Sequence, residues 1–288
     1  MTDKKQERVE QAFDTLRQGV LELIQDPEQM QTLFKEYGDH YEYNTYSPFN
    51  TMILIFETAI RKGKQFQMAR GYRQWEKKFN RKVKKGEKAM YILAPNKIKV
   101  TEKDEETGEE TVSYIMKGFR PVPVFELSQT EGEPIERPTK NHEYKSLNQL
   151  RAKDFIDACG VKVEFEDLLR ANGYTNGKKI VLGNHNSELA NICTLFHELA
   201  HFHLHYDREG EEIKLYSDDS TNLKELEAET VSFMVSSALG IENTYSKKYI
   251  ANWNGDTENL EGEFRERSYK LLMEALNQID TFIELTNS

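Results

Sequence analysis

Apolar residues recur at helical spacing, among charged residues, through the first part of the chain. Residues 1–38 show this pattern throughout, and Pro48 followed by an apolar segment predicts a second helix over 49–62. A third, short amphipathic helix is predicted over 69–79. Strands are predicted at 89–93, 97–100, 111–116 and 122–127, with an acidic loop at 102–110. The N-terminal part is therefore predicted to be a small α+β module.

Residues 131–144 are rich in Thr, Glu, Pro and Lys and lack periodicity, which predicts a linker between a domain of residues 1–130 and a domain of residues 145–288. The second domain is predicted to be mostly helical. Its helices are predicted near 147–159, at 187–205 and 221–239 and in two closing stretches, and its strands at 161–165 and 179–183. Ser187 is suited to begin the helix at 187–205, and Gly240 to end the next one. The predicted fold class is α+β.

The composition predicts a soluble protein of the cytoplasm without a membrane partner. No stretch of about 18 apolar residues is present, and a signal peptide is not expected after the polar N-terminus. The two cysteines, Cys159 and Cys193, lie in different predicted elements, so no disulfide is expected.

Positive charge is concentrated in one segment of this acidic chain. Residues 61–99 contain fourteen Lys or Arg and two acids, and because the net charge is −10 the remaining residues carry −22. Such a segment attracts polyanions, with a solvated basic face as the alternative. Aromatic residues alternate with the charges, and this combination is typical of single-strand binders, in which bases stack on rings and basic groups neutralise phosphates.

The sequence His197-Glu198-Leu199-Ala200-His201 lies within the predicted helix at 187–205. Residues four apart lie on one face of a helix, so both imidazoles can bind one metal ion while Glu198 reaches a water molecule beside it. Zn²⁺ is the expected cofactor, because two His and a carboxylate are typical ligands of catalytic zinc. Glu198 is predicted to be the catalytic general base.

The third ligand is predicted to come from the acidic helix that follows. Glu225 and Glu229 are four apart and share a face, whereas Glu227 points roughly the other way. We predict that Glu225 binds the metal and that Glu229 holds the second nitrogen of a ligand histidine, with exchange of these two roles as the alternative. His205 is predicted to lie in the outer sphere of the metal or to cap the helix end.

Four segments of the N-terminal part form recognisable motifs: Ser47-Pro48-Phe49-Asn50, Gly71-Tyr72-Arg73-Gln74-Trp75, Val83-Lys84-Lys85-Gly86-Glu87-Lys88 and Val124-Phe125-Glu126-Leu127-Ser128-Gln129-Thr130. These segments resemble the N-terminal domain of ArdC-like antirestriction proteins. The motif at 197–201, the acidic motif at 225–229 and Tyr249-Ile250-Ala251-Asn252-Trp253 resemble the second half of these proteins, which is similar to the ImmA/IrrE metallopeptidases. The resemblance implies a single-stranded DNA-binding module followed by a zincin-like metallopeptidase domain. The acidic loop at 206–220 is longer than the family pattern.

The residues expected to contact single-stranded DNA belong to these N-terminal motifs and to the basic segment. They are Tyr46, Asn50, Tyr72, Arg73, Trp75, Arg81, Lys82, Lys84, Lys85 and Lys88. Trp75 shares a helix face with Phe79, so a core position is the alternative for Trp75.

The resemblance implies a protein of mobile genetic elements that protects incoming DNA from host restriction. The alternative function is an active zinc metalloendopeptidase that cleaves a DNA-associated repressor or a host defence protein. A nuclease ranks last, because nucleases usually hold Mg²⁺ with carboxylate-rich sites. Whether the metal site is catalytic is left open.

Overall fold

The computed structural model describes residues 3–39, 45–60, 63–103, 110–135, 144–216, 221–253 and 260–286. The described helices are α1 (Asp3–Gln25), α2 (Pro27–Asp39), α3 (Pro48–Ile55), α4 (Tyr72–Phe79), α5 (Ala152–Ala158), α6 (Glu188–His205), α7 (Thr221–Ala238), α8 (Thr244–Ala251) and α9 (Arg265–Thr286). The described strands are β1 (Ala69–Arg70), β2 (Arg81–Val83), β3 (Met90–Lys103), β4 (Glu110–Glu126), β5 (Thr130–Gly132), β6 (Val163–Glu166), β7 (Gly173–Thr175) and β8 (Ile180–Gly183). None of the described helices is long and apolar enough to cross a membrane. The predicted α+β class is confirmed.

The residue contacts divide the chain into two compact units. The first consists of Met1–Leu16 and Tyr46–Pro138, and the second of Arg17–Thr45 and Thr139–Ser288. Residues 17–45 therefore group with the second unit, although the domain predicted over 1–130 includes them. The physical reason is that the buried apolar face of α2 packs against α7. Periodicity shows that a helix has an apolar face, but it does not show which part of the chain covers that face.

The single helix predicted over 1–38 is interrupted at Asp26. Pro27 begins α2, where its missing N–H costs nothing, because the first turn of a helix leaves its N–H groups unbonded. The carboxylate of Asp26 accepts a hydrogen bond from the backbone N–H of Gln29 at 3.0 Å and so caps α2.

The first unit contains a three-stranded antiparallel sheet in the order β1–β4–β3 and a separate β2–β5 pair. The four strands predicted between 89 and 127 form the two long strands β3 and β4, with a register shift between Pro95 and Lys97. The helix predicted over 69–79 begins only at Tyr72, because residues 69–70 pair with β4 as β1. Residues 104–109 of the predicted acidic loop lie outside the described residues.

In the second unit α6 and α7 pack against each other, and both contact α9. β8 lies between β6, to which it is parallel, and β7, to which it is antiparallel. The predicted start of α6 is confirmed: the Ser187 hydroxyl oxygen accepts a hydrogen bond from the backbone N–H of Ala190 at 3.2 Å. Gly240 follows α7 with a φ of +68°, a conformation that favours glycine. Residues 217–220 of the acidic loop lie outside the described residues.

Candidate functional site

The histidines of α6 and the first acid of α7 meet at one point. The Nε2 atoms of His197 and His201 are 3.0 Å apart. One Glu225 carboxylate oxygen lies 3.5 Å from His197 Nε2, and the other lies 3.3 Å from His201 Nε2. Among the described residues, these three form the only group whose ligand atoms all lie within 4.8 Å of one another. Two imidazole nitrogens and one carboxylate oxygen fit a divalent transition metal.

The outward-facing nitrogens of both histidines also have partners. His197 Nδ1 lies 3.3 Å from a carboxylate oxygen of Glu229, and His201 Nδ1 lies 2.8 Å from His205 Nδ1. The Glu229 side chain is 4% exposed and that of Glu225 is 38% exposed, so Glu229 lies behind the histidine and Glu225 at the open side. This geometry favours the predicted roles of the two acids over their exchange.

Glu198 lines a cavity of about 510 Å³ together with the ligand residues His197 and Glu225. The cavity is lined by residues of α6, α7 and α8, among them Glu198, Glu229 and Tyr245, and by residues outside these helices such as Gly173 and Glu242. Glu198 is buried, and burial raises the pKa of its carboxyl group. A carboxylate with a raised pKa next to a cavity is suited to take up and return a proton.

The charges of the ligand residues depend on one another. Burial by itself lowers the pKa of His197, but the carboxylates of Glu225 and Glu229 outweigh it and raise that pKa to about 10. Burial raises the pKa of Glu225, and the two histidines more than reverse this, so the net shift is downwards. The charged forms of His197 and Glu225 are thus favoured at this point, and a divalent metal ion would take the place of a proton there.

Six of the residues predicted to bind DNA are exposed on the first unit. They are Tyr72, Arg73, Lys82, Lys84, Lys85 and Lys88. The Tyr72 side chain is 58% exposed at the start of α4, and the four lysines follow α4 along β2 and the turn after it. Lys84 Nζ donates a hydrogen bond to the backbone oxygen of Ser128 at 2.9 Å, which fixes one of these ammonium groups in place.

Three of the residues predicted to bind DNA are buried instead, and their assignment is corrected. Trp75 is fully buried and its Nε1–H donates to the backbone oxygen of Phe125 at 2.9 Å, so its ring offers no face to a base. The side-chain amide of Asn50 is bonded to the backbone of Leu93. The Arg81 guanidinium is bonded to residues 130–133 of the neighbouring segment.

Tyr46 has an intermediate position. Its side chain is half-buried and its hydroxyl donates to the backbone oxygen of Ala69 at 3.1 Å. The hydroxyl is thus used within the unit.

Two family models match this chain in tandem. Residues 2–125 match the N-terminal domain of the anti-restriction factor ArdC, and residues 156–277 match the IrrE N-terminal-like domain of peptidase M78. The first part of the chain is therefore similar to the ArdC antirestriction proteins, and the second part is similar to the M78 peptidases.

The individual proteins that this chain resembles are distant in sequence. An uncharacterised protein of Bacillus anthracis is 25% identical, over 69% of this chain and 40% of the relative, so the chain spans about two-fifths of the length of that relative. The metal-free crystal structure of ArdC from the R388 plasmid is 22% identical, with a TM-score of 0.46 over 88% of this chain and 96% of that one. Its Mn(II)-bound structure is 19% identical, with a TM-score of 0.47 over 88% and 97%.

Glu227 lies close to the candidate site but is not among the residues predicted for it. Glu227 is fully buried, and its carboxylate accepts from His205 and from Arg267. The sequence holds a weak signal for this, since Glu227 stands between Leu226 and Ala228 in a helix predicted to be buried. No signal identifies Arg267, which lies 40 residues away on α9.

Proposed function

We propose that this ArdC-like protein binds single-stranded DNA on its first unit, holds Zn²⁺ in its second unit, and protects incoming mobile-element DNA from host restriction. The observation that carries the metal half of this proposal is the convergence of His197 Nε2, His201 Nε2 and the Glu225 carboxylate beside an open cavity. Zinc is proposed over Mg²⁺ or Mn²⁺, because imidazole ligands suit zinc whereas carboxylate-rich sites suit the harder ions.

Metal content tests the ligand set. Glu225→Ala should lower zinc occupancy after dialysis, because it removes one of three protein ligands. Glu242→Ala is the matched control, since Glu242 lines the same cavity but is not among the converging ligand atoms. Equal occupancy in both variants, or preferential loading with Mn²⁺ when both metals are offered, would contradict this part of the proposal.

The DNA-binding half of the proposal rests on the exposed lysines of β2 and of the turn after it. Lys82, Lys84, Lys85 and Lys88 lie within seven consecutive residues and are all exposed. Each ammonium group that neutralises a phosphate releases counterions, so affinity falls with salt. Tyr72 and Arg73 stand at the exposed start of α4, which packs against β2, and they offer a ring and a guanidinium plane for stacking.

Fluorescence anisotropy with a labelled oligo-dT measures this interaction. Replacing the four lysines by glutamine should lower the slope of log affinity against log salt by up to about 3, since each phosphate contact on a single strand contributes about 0.7. The control replaces four exposed lysines of the second unit, Lys153, Lys162, Lys178 and Lys214, and thus removes equal charge. Equal slopes in the two variants would show that the lysines after β2 do not bind DNA.

A second candidate function, metalloendopeptidase activity, is favoured by the position of Glu198 at the cavity. When bound, Zn²⁺ supplies Lewis-acid polarisation of a substrate oxygen. The Glu198 carboxylate would take a proton from water at the cavity and return it to the leaving amine. Tyr245, which is 69% exposed and lines the same cavity, would contact the substrate.

Glu198→Gln separates the two functions, because the amide keeps the shape of the side chain but cannot take up a proton. Transfer of unmodified DNA into a restricting host should be protected equally by wild type and Glu198→Gln if DNA binding suffices, and should fail with the four-lysine variant. If Glu198→Gln abolishes protection although the variant still binds zinc and DNA, DNA binding alone does not explain protection, and endopeptidase activity becomes the proposed function.

A further inference from the structure

A chain of buried polar groups starts at His201 and leads away from the metal site. His201 Nδ1 lies 2.8 Å from His205 Nδ1, and His205 Nε2 lies 2.7 Å from a carboxylate oxygen of Glu227. Arg267 donates to this carboxylate twice, from Nε at 2.6 Å and from Nη2 at 2.8 Å. The Tyr216 hydroxyl donates to it as well.

The proton positions along this series of hydrogen bonds follow from which groups can donate and which can only accept. The Glu227 carboxylate is fully buried and has Arg267 and Tyr216 as donors, so it is an acceptor and the proton facing it is on His205 Nε2. In a neutral imidazole the other nitrogen is then a bare acceptor, so His205 Nδ1 accepts from His201 Nδ1–H. This leaves the lone pair of His201 at Nε2, the atom that faces His197 and Glu225.

The two ligand histidines are therefore supported differently. His197 has a carboxylate, Glu229, directly beside its outward nitrogen. For His201 the carboxylate is one imidazole further away. A partner on the second nitrogen fixes the tautomer and the ring orientation of a ligand histidine, and its loss typically weakens metal binding by about 10–100-fold.

We propose that Glu227, held by Arg267 and Tyr216, is a positioning residue of the metal site and acts through His205 to set the tautomer of His201. This proposal rests on the metal site proposed above.

A structural role for Glu227 alone would explain its ion pair with Arg267, which joins α7 to α9. It would not require His205, which is buried between Glu227 and the ligand His201 and bonds each through a different nitrogen. A buried imidazole with both nitrogens bonded in sequence transmits the donor and acceptor pattern of one neighbour to the other.

The test compares Glu227→Gln with Glu274→Gln. Glu274 is also a buried acid on a neighbouring helix that faces a histidine of α6, His203, at 2.8 Å, but His203 is not among the converging ligand atoms. Zinc affinity, measured by competition with a chromophoric chelator, should fall about 10–100-fold for Glu227→Gln and stay within about twofold for Glu274→Gln. The visible spectrum of the Co²⁺-loaded protein should change for Glu227→Gln alone, because it reports the ligand geometry.

A long-range ¹H–¹⁵N spectrum of the histidines in the zinc-loaded wild type tests the tautomers without any substitution. His201 should carry its proton on Nδ1 and His205 on Nε2. A proton on Nδ1 of His205 would overturn the proposal.

His205→Gln provides a second variant in case Glu227→Gln does not fold. His205→Gln should weaken zinc binding as well. The variant that carries both Glu227→Gln and His205→Gln should lose no more zinc affinity than the single variant with the lower affinity, since both changes act through the same contact to His201. If His197→Ala loses zinc while Glu227→Gln and His205→Gln keep the wild-type zinc affinity and Co²⁺ spectrum, Glu227 does not position His201. The proposed metal site itself would still be supported by that result. If the wild type binds neither metal, the proposed function fails first.

Discussion

Asn50 is predicted to hold the edge of the first unit's sheet, and its replacement by alanine tests this. Asn50 Nδ2 donates to the backbone oxygen of Leu93 at 2.9 Å, and the backbone N–H of Leu93 donates to Asn50 Oδ1 at 2.8 Å. Leu93 belongs to β3, an edge strand, and is 2% exposed. The side-chain amide thus replaces the neighbouring strand that an edge residue lacks.

Asn50→Ala removes both partners and leaves the N–H and C=O of Leu93 buried without hydrogen bonds. Each buried group left unbonded costs about 1–3 kcal/mol. Because the smaller side chain lets some water approach, we expect the free energy of unfolding to fall by about 2–4 kcal/mol rather than by the full sum.

Trp75 fluorescence during urea unfolding measures this change in the first unit. Of the two tryptophans, Trp75 is fully buried there, so a Trp253→Phe background leaves it as the sole reporter. Gln65→Ala is the control, since Gln65 is exposed in the same unit, and it should change stability by less than about 0.5 kcal/mol.

An Asn50→Ala variant as stable as this control would refute the reasoning. The folded variant should also keep the wild-type affinity for oligo-dT at each salt concentration. A lower affinity with an unchanged salt slope would place the uncharged Asn50 side chain at the DNA after all.

Three further predictions concern the second unit. Gly38→Ala should lower the melting temperature and reduce the free energy of unfolding by about 1–3 kcal/mol. The new Cβ would lie 1.8 Å from the backbone oxygen of Ala238 and would push α2 away from α7. An unchanged melting curve would contradict this contact. Ser187→Ala should cost about 1 kcal/mol in urea unfolding through loss of the α6 cap, whereas Ser187→Asp should retain most of the stability. Burial raises the pKa of the Cys193 thiol to about 12. In a Cys159→Ser background its alkylation rate should therefore rise about tenfold per pH unit from pH 8 to 10, because only the thiolate reacts. A plateau of the rate near pH 9 would show that the pKa of this thiol is not raised.

Much of the candidate metal site could be predicted from the sequence, because its geometry is local. The spacing of His197 and His201 and the cap at Ser187 follow from the pitch of a single helix. The preference for Glu225 and Glu229 over Glu227 follows from the same pitch applied to α7. The partner of Glu227 could not be predicted, since Arg267 reaches it from another helix.

The DNA-binding predictions show the limit of the sequence more clearly. The sequence pattern grouped Asn50, Trp75 and Arg81 with the exposed basic residues. Polar and aromatic side chains occur both at the surface and in the interior, where their polar atoms are hydrogen-bonded. Their hydrogen-bond partners lie 43 to 52 residues away in the chain.

Residue type and spacing within one element predict most of the helices, the candidate metal motif and the basic segment. The grouping of residues 17–45 with the second unit, the continuity of β3 and β4 and the contact of Glu227 with His205 are visible only in the folded chain. These features depend on which surfaces meet across the chain, and burial of a polar group is stable only where a distant partner bonds it.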